Sequence, residues 1–181
     1  MRIPGISAAA IMAIAIGVHG PAAAAEVDGC DRFSWDVSHE RAVMKQAPQP
    51  ATAAVRPAGA ALIEIERLYE LKLAPQASVT YVLAPGKPTL DDSAQGGLVQ
   101  FRAAKGGVYR ISMTSGHWID VVADGKFIKS RDFQGARGCE RPHKIVEFEL
   151  PADTTFTLQF SGAAASTVQM AITAVTAPAM H

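Results

Sequence analysis

Residues 118–130 read WIDVVADGKFIKS, and this stretch decides the fold class. Two short segments rich in β-branched and aromatic residues flank the pair Asp124-Gly125. Such a pair between apolar segments is typical of a two-residue type I′ hairpin turn. We therefore predict one strand over residues 118–123, a turn, and a second strand over residues 126–130.

The same short-strand pattern continues on both sides of this hairpin. Residues 144–150 (KIVEFEL) alternate with period two, which places Ile145, Glu147 and Glu149 on one face and Val146, Phe148 and Leu150 on the other. Further strands are predicted over residues 61–73, 78–83, 98–103, 108–114, 156–160 and 168–175. Their spacing, with Gly, Pro and Asp turns and no strand–helix alternation, predicts an all-β fold: an antiparallel β-sandwich of jelly-roll type with about nine strands.

Two parts of this prediction concern the region before the hairpin. Residues 36–46 show helical spacing of Val37, Val43 and Met44, so we expect a short N-terminal helix. The Pro- and Ala-rich residues 47–60 are expected to form an extended connector without chemistry. The Glu and Leu content of residues 61–73 leaves a helix open as the alternative for the centre of that strand.

The first 25 residues have the pattern of an export signal. An early Arg2 precedes an apolar run of about 13 residues, which is too short to span a bilayer. Ala23 and Ala25 supply the small side chains that signal peptidase requires. We expect cleavage after Ala25, a periplasmic or secreted protein and no membrane span afterwards; an uncleaved anchor is the alternative. The expected divisions are a signal peptide (1–25), helix and connector (26–60), sandwich (61–176) and tail (177–181).

Charge balance argues against several partners. The chain has 17 basic and 17 acidic residues, and loss of the signal removes one arginine, leaving a net charge of −1. A near-neutral domain gives no electrostatic reason to expect binding to nucleic acid or to an anionic membrane. The length after cleavage suits one domain with one core, and we expect a monomer.

The chain has two cysteines, Cys30 and Cys139. In an oxidising compartment, two such residues allow one intramolecular pairing, so we predict a disulfide that ties the N-terminal segment to the domain. The alternative is a catalytic thiol at Cys139, which would use the nearby Arg137, Arg141 or His143 as its electropositive surroundings.

Several motifs resemble known families. The segments GGVYRISMTSGHWIDVVADGKFIKS and VEFELPADTTFTLQFSGA resemble secreted β-sandwich modules of the bacterial pre-peptidase C-terminal type. The segments FSWDVSHERAVMKQ, GHWIDVV and CERPHK are similar to a family of uncharacterised exported proteobacterial proteins. The resemblance covers most of the chain after the signal and implies a secreted sandwich. It supplies no activity.

Catalytic signatures are missing from the sequence. There is no Gly-x-Ser-x-Gly, His-Glu-x-x-His or Ser-x-x-Lys set. Ser115 and His117 stand close together, but we expect neighbouring strand residues to point to opposite faces and therefore not to form a catalytic pair. A metal-dependent enzyme of the dioxygenase type would need a ligand set such as His-x-His with a nearby carboxylate, and the chain has no His-x-His.

A ligand-binding surface has more support. His117 and Trp118 begin the hairpin, and Arg131, Arg137, Arg141 and His143 follow within residues 131–143, which we expect to form a polar loop. Loops on a rigid sandwich are common recognition sites, and an aromatic ring beside Arg or His can bind a sugar or a carboxylate. The alternative is that Trp118 packs in the core against Phe148 and Phe160 while the arginines pair with Asp132 and Glu140.

The expected function is therefore a non-catalytic module of the cell envelope. It would bind a carbohydrate, a small ligand or a protein partner through the six residues from His117 to His143 named above, with no cofactor and no bound metal. One alternative is a small metal-dependent enzyme, for which His39, His117 and His143 are the available ligands. The other is a purely structural envelope protein.

Overall fold

The computed structural model describes residues 29–88 and 91–175. The expected signal peptide and the expected tail over 177–181 lie outside these residues. One α-helix is present, α1 (Ser38–Val43). The twelve strands are β1 (Gln49–Thr52), β2 (Leu62–Ile63), β3 (Tyr69–Lys72), β4 (Ala74–Pro75), β5 (Gln95–Ala103), β6 (Gly107–Met113), β7 (Trp118–Ala123), β8 (Lys126–Ile128), β9 (Ser130–Gly135), β10 (Lys144–Leu150), β11 (Thr154–Ala163) and β12 (Thr167–Ala174).

The strands form two six-stranded sheets, which confirms the predicted all-β sandwich. The first sheet has the order β1-β3-β12-β6-β10-β9, and the second has the order β2-β5-β11-β7-β8, with β4 also paired to β5. Both sheets are mixed, because β1 and β3 are parallel and so are β2 and β5. The purely antiparallel prediction is wrong for these two pairs, and the jelly-roll connectivity stays a prediction.

The main core lies between the two sheets. The predicted alternation of β10 is confirmed, because Val146, Phe148 and Leu150 are buried in this core while Glu149 is exposed. From the second sheet, Phe156, Leu158 and Phe160 of β11 enter the same cluster, and Phe156 stacks on Phe101 with ring centroids 5.2 Å apart. Burial of such side chains is the main favourable contribution to folding.

The Asp-Gly hairpin forms as expected. Asp124 and Gly125 have φ values of 49° and 68°, and Ala123 pairs with Lys126 across the turn. Both turn residues of a type I′ turn need positive φ, which Asp tolerates and Gly adopts without strain. The second arm is shorter than predicted: β8 ends at Ile128, and the chain then enters β9.

The predicted strand over residues 61–73 is two strands in different sheets. β2 belongs to the second sheet and β3 to the first, and Glu66 between them has a φ of 62°. The alternating pattern spans the crossover because both strands bury odd-numbered residues, namely Ile63, Tyr69 and Leu71. The period-two pattern therefore reports burial correctly but does not reveal the change of sheet.

The predicted strand over residues 78–83 is wrong. After a short 3-10 helix (Gln76–Ser78), this segment is a loop that we call the strap, residues 79–88. The buried side chain of Gln159 replaces a strand partner: its Oε1 accepts from the amides of Val82 and Leu83, and its Nε2 donates to the carbonyl of Leu83. Because side-chain amides satisfy this backbone, the apolar sequence need not join a sheet.

The N-terminal segment packs on the outer face of the first sheet. The predicted disulfide is confirmed between Cys30 and Cys139, which share a small apolar cluster with Phe33, Val37 and Ile145. α1 lies within the helix predicted over residues 36–46 and buries Val43 and the following Met44 against Leu68 and Ala171. No helix in the described ranges is both long and apolar enough to span a membrane.

Residues 47–60 are more than a connector, because they contain β1, which pairs with β3 at the edge of the first sheet. The loop predicted over 131–143 is likewise wrong in its first half. Residues up to Gly135 belong to β9, which pairs with β10 and leaves a loop of residues 136–143. β9 was not predicted because its side chains are mostly charged or polar. An edge strand can carry such side chains, since it is solvated on more than one side.

Candidate functional site

The sandwich is open where β8 and β9 meet. These are the last strands of the second and first sheets, and Lys129 joins them as the chain crosses between sheets. Three large aromatic side chains are partly exposed at this edge: Trp118 (38%), Phe127 (44%) and Phe133 (66%). We call the surface formed by these three residues and Lys144 the aromatic groove. Exposed aromatic clusters on soluble domains mark interaction sites.

Two cavities meet in the aromatic groove. The first, of about 480 Å³, is the more polar of the two, and we call it the polar cavity; it is lined by Lys87, Pro88, Gly116, His117, Trp118, Phe133, Gly135, His143, Lys144 and Gly162. The second, of about 370 Å³, is largely apolar and is lined by Trp118, Ile119, Asp120, Phe127, Ile128, Lys129, Ser130, Phe133, Lys144, Val146 and Phe148. Both volumes lie in the range of about 300–1,000 Å³ that is usual for small-molecule sites.

Trp118 is fixed at the boundary of both cavities. Its Nε1–H donates to Asp120 Oδ1 at 2.9 Å, and the other oxygen of Asp120 accepts from the Gly86 amide of the strap at 3.0 Å. A Cβ on Gly86 would stand 2.8 Å from Asp120 Oδ1, so the strap can approach this closely because residue 86 is glycine. The indole ring is thus held in place and partly exposed, not buried against Phe148 and Phe160 as the alternative expected.

Lys144 stands between the cavities without a carboxylate partner. Its Nζ donates to the His117 carbonyl at 2.9 Å and lies 5.7 Å from the centre of the Trp118 ring. In the described residues, no carboxylate forms an ion pair with Lys144 or with Lys87. Burial, followed by the charge of Lys87, lowers the pKa of Lys144. A bound anion would stabilise the charged form of such a half-buried ammonium, because burial disfavours an uncompensated charge.

Ser115 and His117 do form a hydrogen bond, which corrects the expectation that they point to opposite faces. They are two residues apart and lie on the same side, with Ser115 Oγ 2.7 Å from His117 Nδ1. The imidazole is buried against Phe160, and its Nε2 has no hydrogen-bond partner in the described residues. Among the described residues no carboxylate contacts the ring, and the bond to Ser115 satisfies the buried Nδ1.

The buried His117 predicts a loss of stability in mild acid. Burial, followed by the charge of Lys144, lowers the pKa of His117 from 6.5 to about 4. Between these values the unfolded chain binds a proton that the folded protein excludes, so stability is complete above pH 6.5 and falls as the pH drops toward 4. The whole contribution is about 3 kcal/mol. Urea unfolding from pH 7 to 4.5 should show this decline.

The variant His117→Gln should flatten this decline, whereas His39→Gln should retain it. His39 is an exposed residue of α1 that pairs with Glu66, away from His117. A wild-type protein with the same stability at pH 7 and pH 4.5, or a decline that is unchanged in His117→Gln, would show that His117 is not the titrating group.

The predicted site residues divide into three groups. His117, Trp118 and His143 line the polar cavity together. Arg141 borders a neighbouring shallow cavity with Glu140 and His143. Arg131 and Arg137 do not line the polar cavity: Arg131 pairs with Glu149 at 3.1 Å and approaches Glu147 at 3.9 Å, and Arg137 is exposed in the loop before Cys139. The predicted arginine cluster is therefore not found at the polar cavity, which is lined instead by the lysines Lys87 and Lys144.

Three residues of the aromatic groove, Phe127, Phe133 and Lys144, were not identified from the sequence, and neither was Lys87 of the polar cavity. Phe127 and Phe133 stand among charged neighbours in KFIKSRDFQ, and an aromatic residue in a polar edge segment is a signal that could have been used. Lys87 and Lys144 had no such signal. Their convergence depends on the strap and on the end of β10, which are far apart in the chain.

The histidines proposed as a metal-ligand pool are not assembled as one. His39 lies beside Glu66, away from His117 and His143. Across residues 29–88 and 91–175, no three His, Cys, Asp or Glu side chains come together in a manner that would hold a metal ion. The alternative of a catalytic thiol at Cys139 is excluded in this oxidised structure, because its sulfur is in the disulfide.

Comparison with known proteins adds no family. No protein-family model matches this chain, and no curated protein matches it in sequence. The resemblance to pre-peptidase C-terminal modules therefore stays a prediction from the motifs, and the functional argument depends on the geometry of the aromatic groove.

Proposed function

We propose that the protein is a non-catalytic β-sandwich module, exported to the periplasm or secreted, that binds a small ligand in the aromatic groove. The single observation that supports this most is the meeting of two cavities at Trp118, Phe133 and Lys144. A fixed indole, an exposed phenyl ring and an ammonium that pairs with no described carboxylate form a preorganised recognition surface. Small-molecule sites commonly combine apolar walls with a few convergent polar groups.

The preorganisation comes from hydrogen bonds that fix the side chains of the groove. Trp118 is held by Asp120, which is held in turn by Gly86. Lys144 is fixed by the His117 carbonyl and kept near the Trp118 ring. Because the side chains are already ordered, little rotamer entropy is lost when a ligand binds.

A carbohydrate or another small ligand suits this groove better than a protein partner that would bind through a flat surface. The two cavities are concave, and the rings of Trp118 and Phe133 offer faces against which a sugar or an apolar group can stack. A structural envelope role would be supported instead if the groove bound nothing.

The proposal is tested by following the two indole N–H resonances of the protein, since the chain has two tryptophans. Neutral and acidic sugars, short carboxylates and aromatic carboxylates are titrated as probes. We expect at least one class to shift the Trp118 indole signal saturably and to leave the Trp35 signal in place. Trp35 is a suitable internal reference because it stacks on Arg110, outside the groove.

The variant Phe133→Ser should weaken this binding at least about fivefold, because it removes one aromatic wall. Leu62→Ser is the matched control: Leu62 is 63% exposed on β2, at the opposite edge of the second sheet from β8. If no probe moves the Trp118 signal, or if both indoles respond equally, the groove is not a ligand site.

A further inference from the structure

The two cavities of the aromatic groove have different chemistry, and this difference indicates what kind of ligand would occupy both. Ile119 and Ile128 line the apolar cavity from the second sheet, and Val146 and Phe148 line it from the first. Ile119, Val146 and Phe148 also belong to the main core cluster. The apolar cavity therefore enters the sandwich between its sheets, where a ligand group would be removed from water.

The polar cavity offers positive charge from two lysines, Lys87 and Lys144. His143 lines it as well, together with three residues that carry no side chain, Gly116, Gly135 and Gly162. The described carboxylate that borders the groove is that of Asp120, and both of its oxygens already accept hydrogen bonds, from Trp118 and Gly86. Asp120 keeps its negative charge, but three lysines, Lys87, Lys129 and Lys144, line the two cavities, so the summed charge of these residues is positive.

Lys144 lines both cavities, and its Nζ lies 5.7 Å from the centre of the Trp118 ring, which also lines both. From the placement of this charge at the mouth of an apolar cavity, we propose that the ligand is an amphiphilic carboxylate, with its acyl or alkyl chain between the sheets and its carboxylate on Lys144. This inference rests on the proposed ligand-binding function and specifies the ligand class. A free sugar would match the polar cavity but would leave the apolar cavity, with its core side chains, unfilled by apolar groups.

Fluorescence of Trp118 tests the proposal in a Trp35→Phe background. Trp118 is then the remaining tryptophan, so the tryptophan emission comes from the groove. The probes are decanoate, decanol and glucuronate, so that the chain and the charge are varied separately. We expect decanoate to change the emission saturably and to bind about tenfold more tightly than decanol, since an ion pair of ordinary strength contributes a factor of this size. Glucuronate should bind more weakly than decanoate.

Two variants separate the roles of charge and cavity. Lys144→Met keeps an unbranched apolar side chain and should weaken decanoate binding about tenfold while changing decanol binding less than twofold. Ile128→Trp fills the apolar cavity and should weaken both. Lys72→Met, on β3 of the first sheet, is the matched control and should change neither.

Each other outcome overturns a defined part of the account. If glucuronate binds at Trp118 and decanoate does not, the groove is a ligand site but the amphiphile is wrong. If decanol binds as tightly as decanoate, or if Lys144→Met leaves decanoate binding unchanged, the anionic group is wrong. If none of the three probes binds and no other small probe moves the Trp118 signal, both the amphiphile and the proposed function fail.

Discussion

Replacing Arg110 by Met is expected to lower the free energy of unfolding by about 3–5 kcal/mol, because it leaves the buried carboxylate of Glu40 without a counter-ion. Arg110 projects from β6 on the outer face of the first sheet. Its Nε donates to Glu147 at 3.0 Å, and its Nη1 donates to Glu40 at 3.1 Å and to the Asp36 carbonyl at 2.9 Å. The side chain of Glu40 is 3% exposed.

This network attaches the N-terminal segment to the sandwich. Trp35 covers the guanidinium, with 4.6 Å between Cζ and the ring centre, and Glu40 brings α1 against the sheet. One oxygen of Glu40 has no hydrogen-bond partner in the described residues, so little remains to compensate its charge once Arg110 is removed. Truncating one partner of a buried pair costs more than the pair contributes, because the other charge stays buried.

Urea unfolding of Arg110→Met measures this effect, and Arg102→Met provides the control. Arg102 forms an exposed pair with Asp153, so its loss should change stability by less than about 1 kcal/mol. The double variant Arg110→Met/Glu40→Gln should recover part of the lost stability by removing the uncompensated charge. A loss below about 1 kcal/mol in Arg110→Met would show that the network does not hold the segment.

Replacing both cysteines by alanine should lower the free energy of unfolding by about 2–5 kcal/mol. Cys30 and Cys139 are 109 residues apart, so the bond restricts a long loop in the unfolded chain, and the entropy model gives a value near the upper end of this range. The bond also joins the N-terminal segment to the loop of residues 136–143, which ends at the polar cavity with His143.

The measurement is urea unfolding of the Cys30→Ala/Cys139→Ala variant, of the oxidised wild type and of the wild type in reducing buffer. The variant and the reduced wild type should unfold at similar urea concentrations, because both lack the disulfide bond. The Trp35 emission of the folded variant should stay close to that of the wild type, because the Arg110 network still holds the segment. An unfolding midpoint equal to that of the oxidised wild type would contradict the stabilising role of the bond.

Sequence reasoning worked best where a local pattern and a turn agreed. The hairpin at Asp124-Gly125 and the alternation of β10 follow from backbone preference and period-two burial, both of which are local properties. Two of the crossings between sheets, at Glu66 and at Lys129, were missed because each lies inside a segment predicted as a single strand, residues 61–73 and 126–130.

The strap was misjudged for a different reason. Residues 79–83 (VTYVL) have high β-propensity, but the side chain of Gln159, 76 residues after Leu83, satisfies this backbone in place of a strand. Propensity is a weak guide where such long-range contacts decide the backbone. The Cys30–Cys139 bond was predictable because only one pairing was available.

The candidate site was half predictable. His117, Trp118 and His143 were selected for their chemistry, and they do line one cavity. The arginines were selected because they are close in sequence, but Arg131 pairs with Glu149 across neighbouring strands. Lys144 could not be selected, since its importance comes from its position between two cavities and from the absence of a described carboxylate partner.

The central claim is that a ligand enters the sandwich at the β8–β9 edge. The most direct test is the measurement of intermolecular nuclear Overhauser effects between decanoate methylenes and the protein. The account predicts contacts with methyl groups from both sheets, Ile128 of the second and Val146 of the first, because both line the apolar cavity. Contacts confined to the exposed Leu62 on the opposite edge, or no contacts at saturating decanoate, would contradict it.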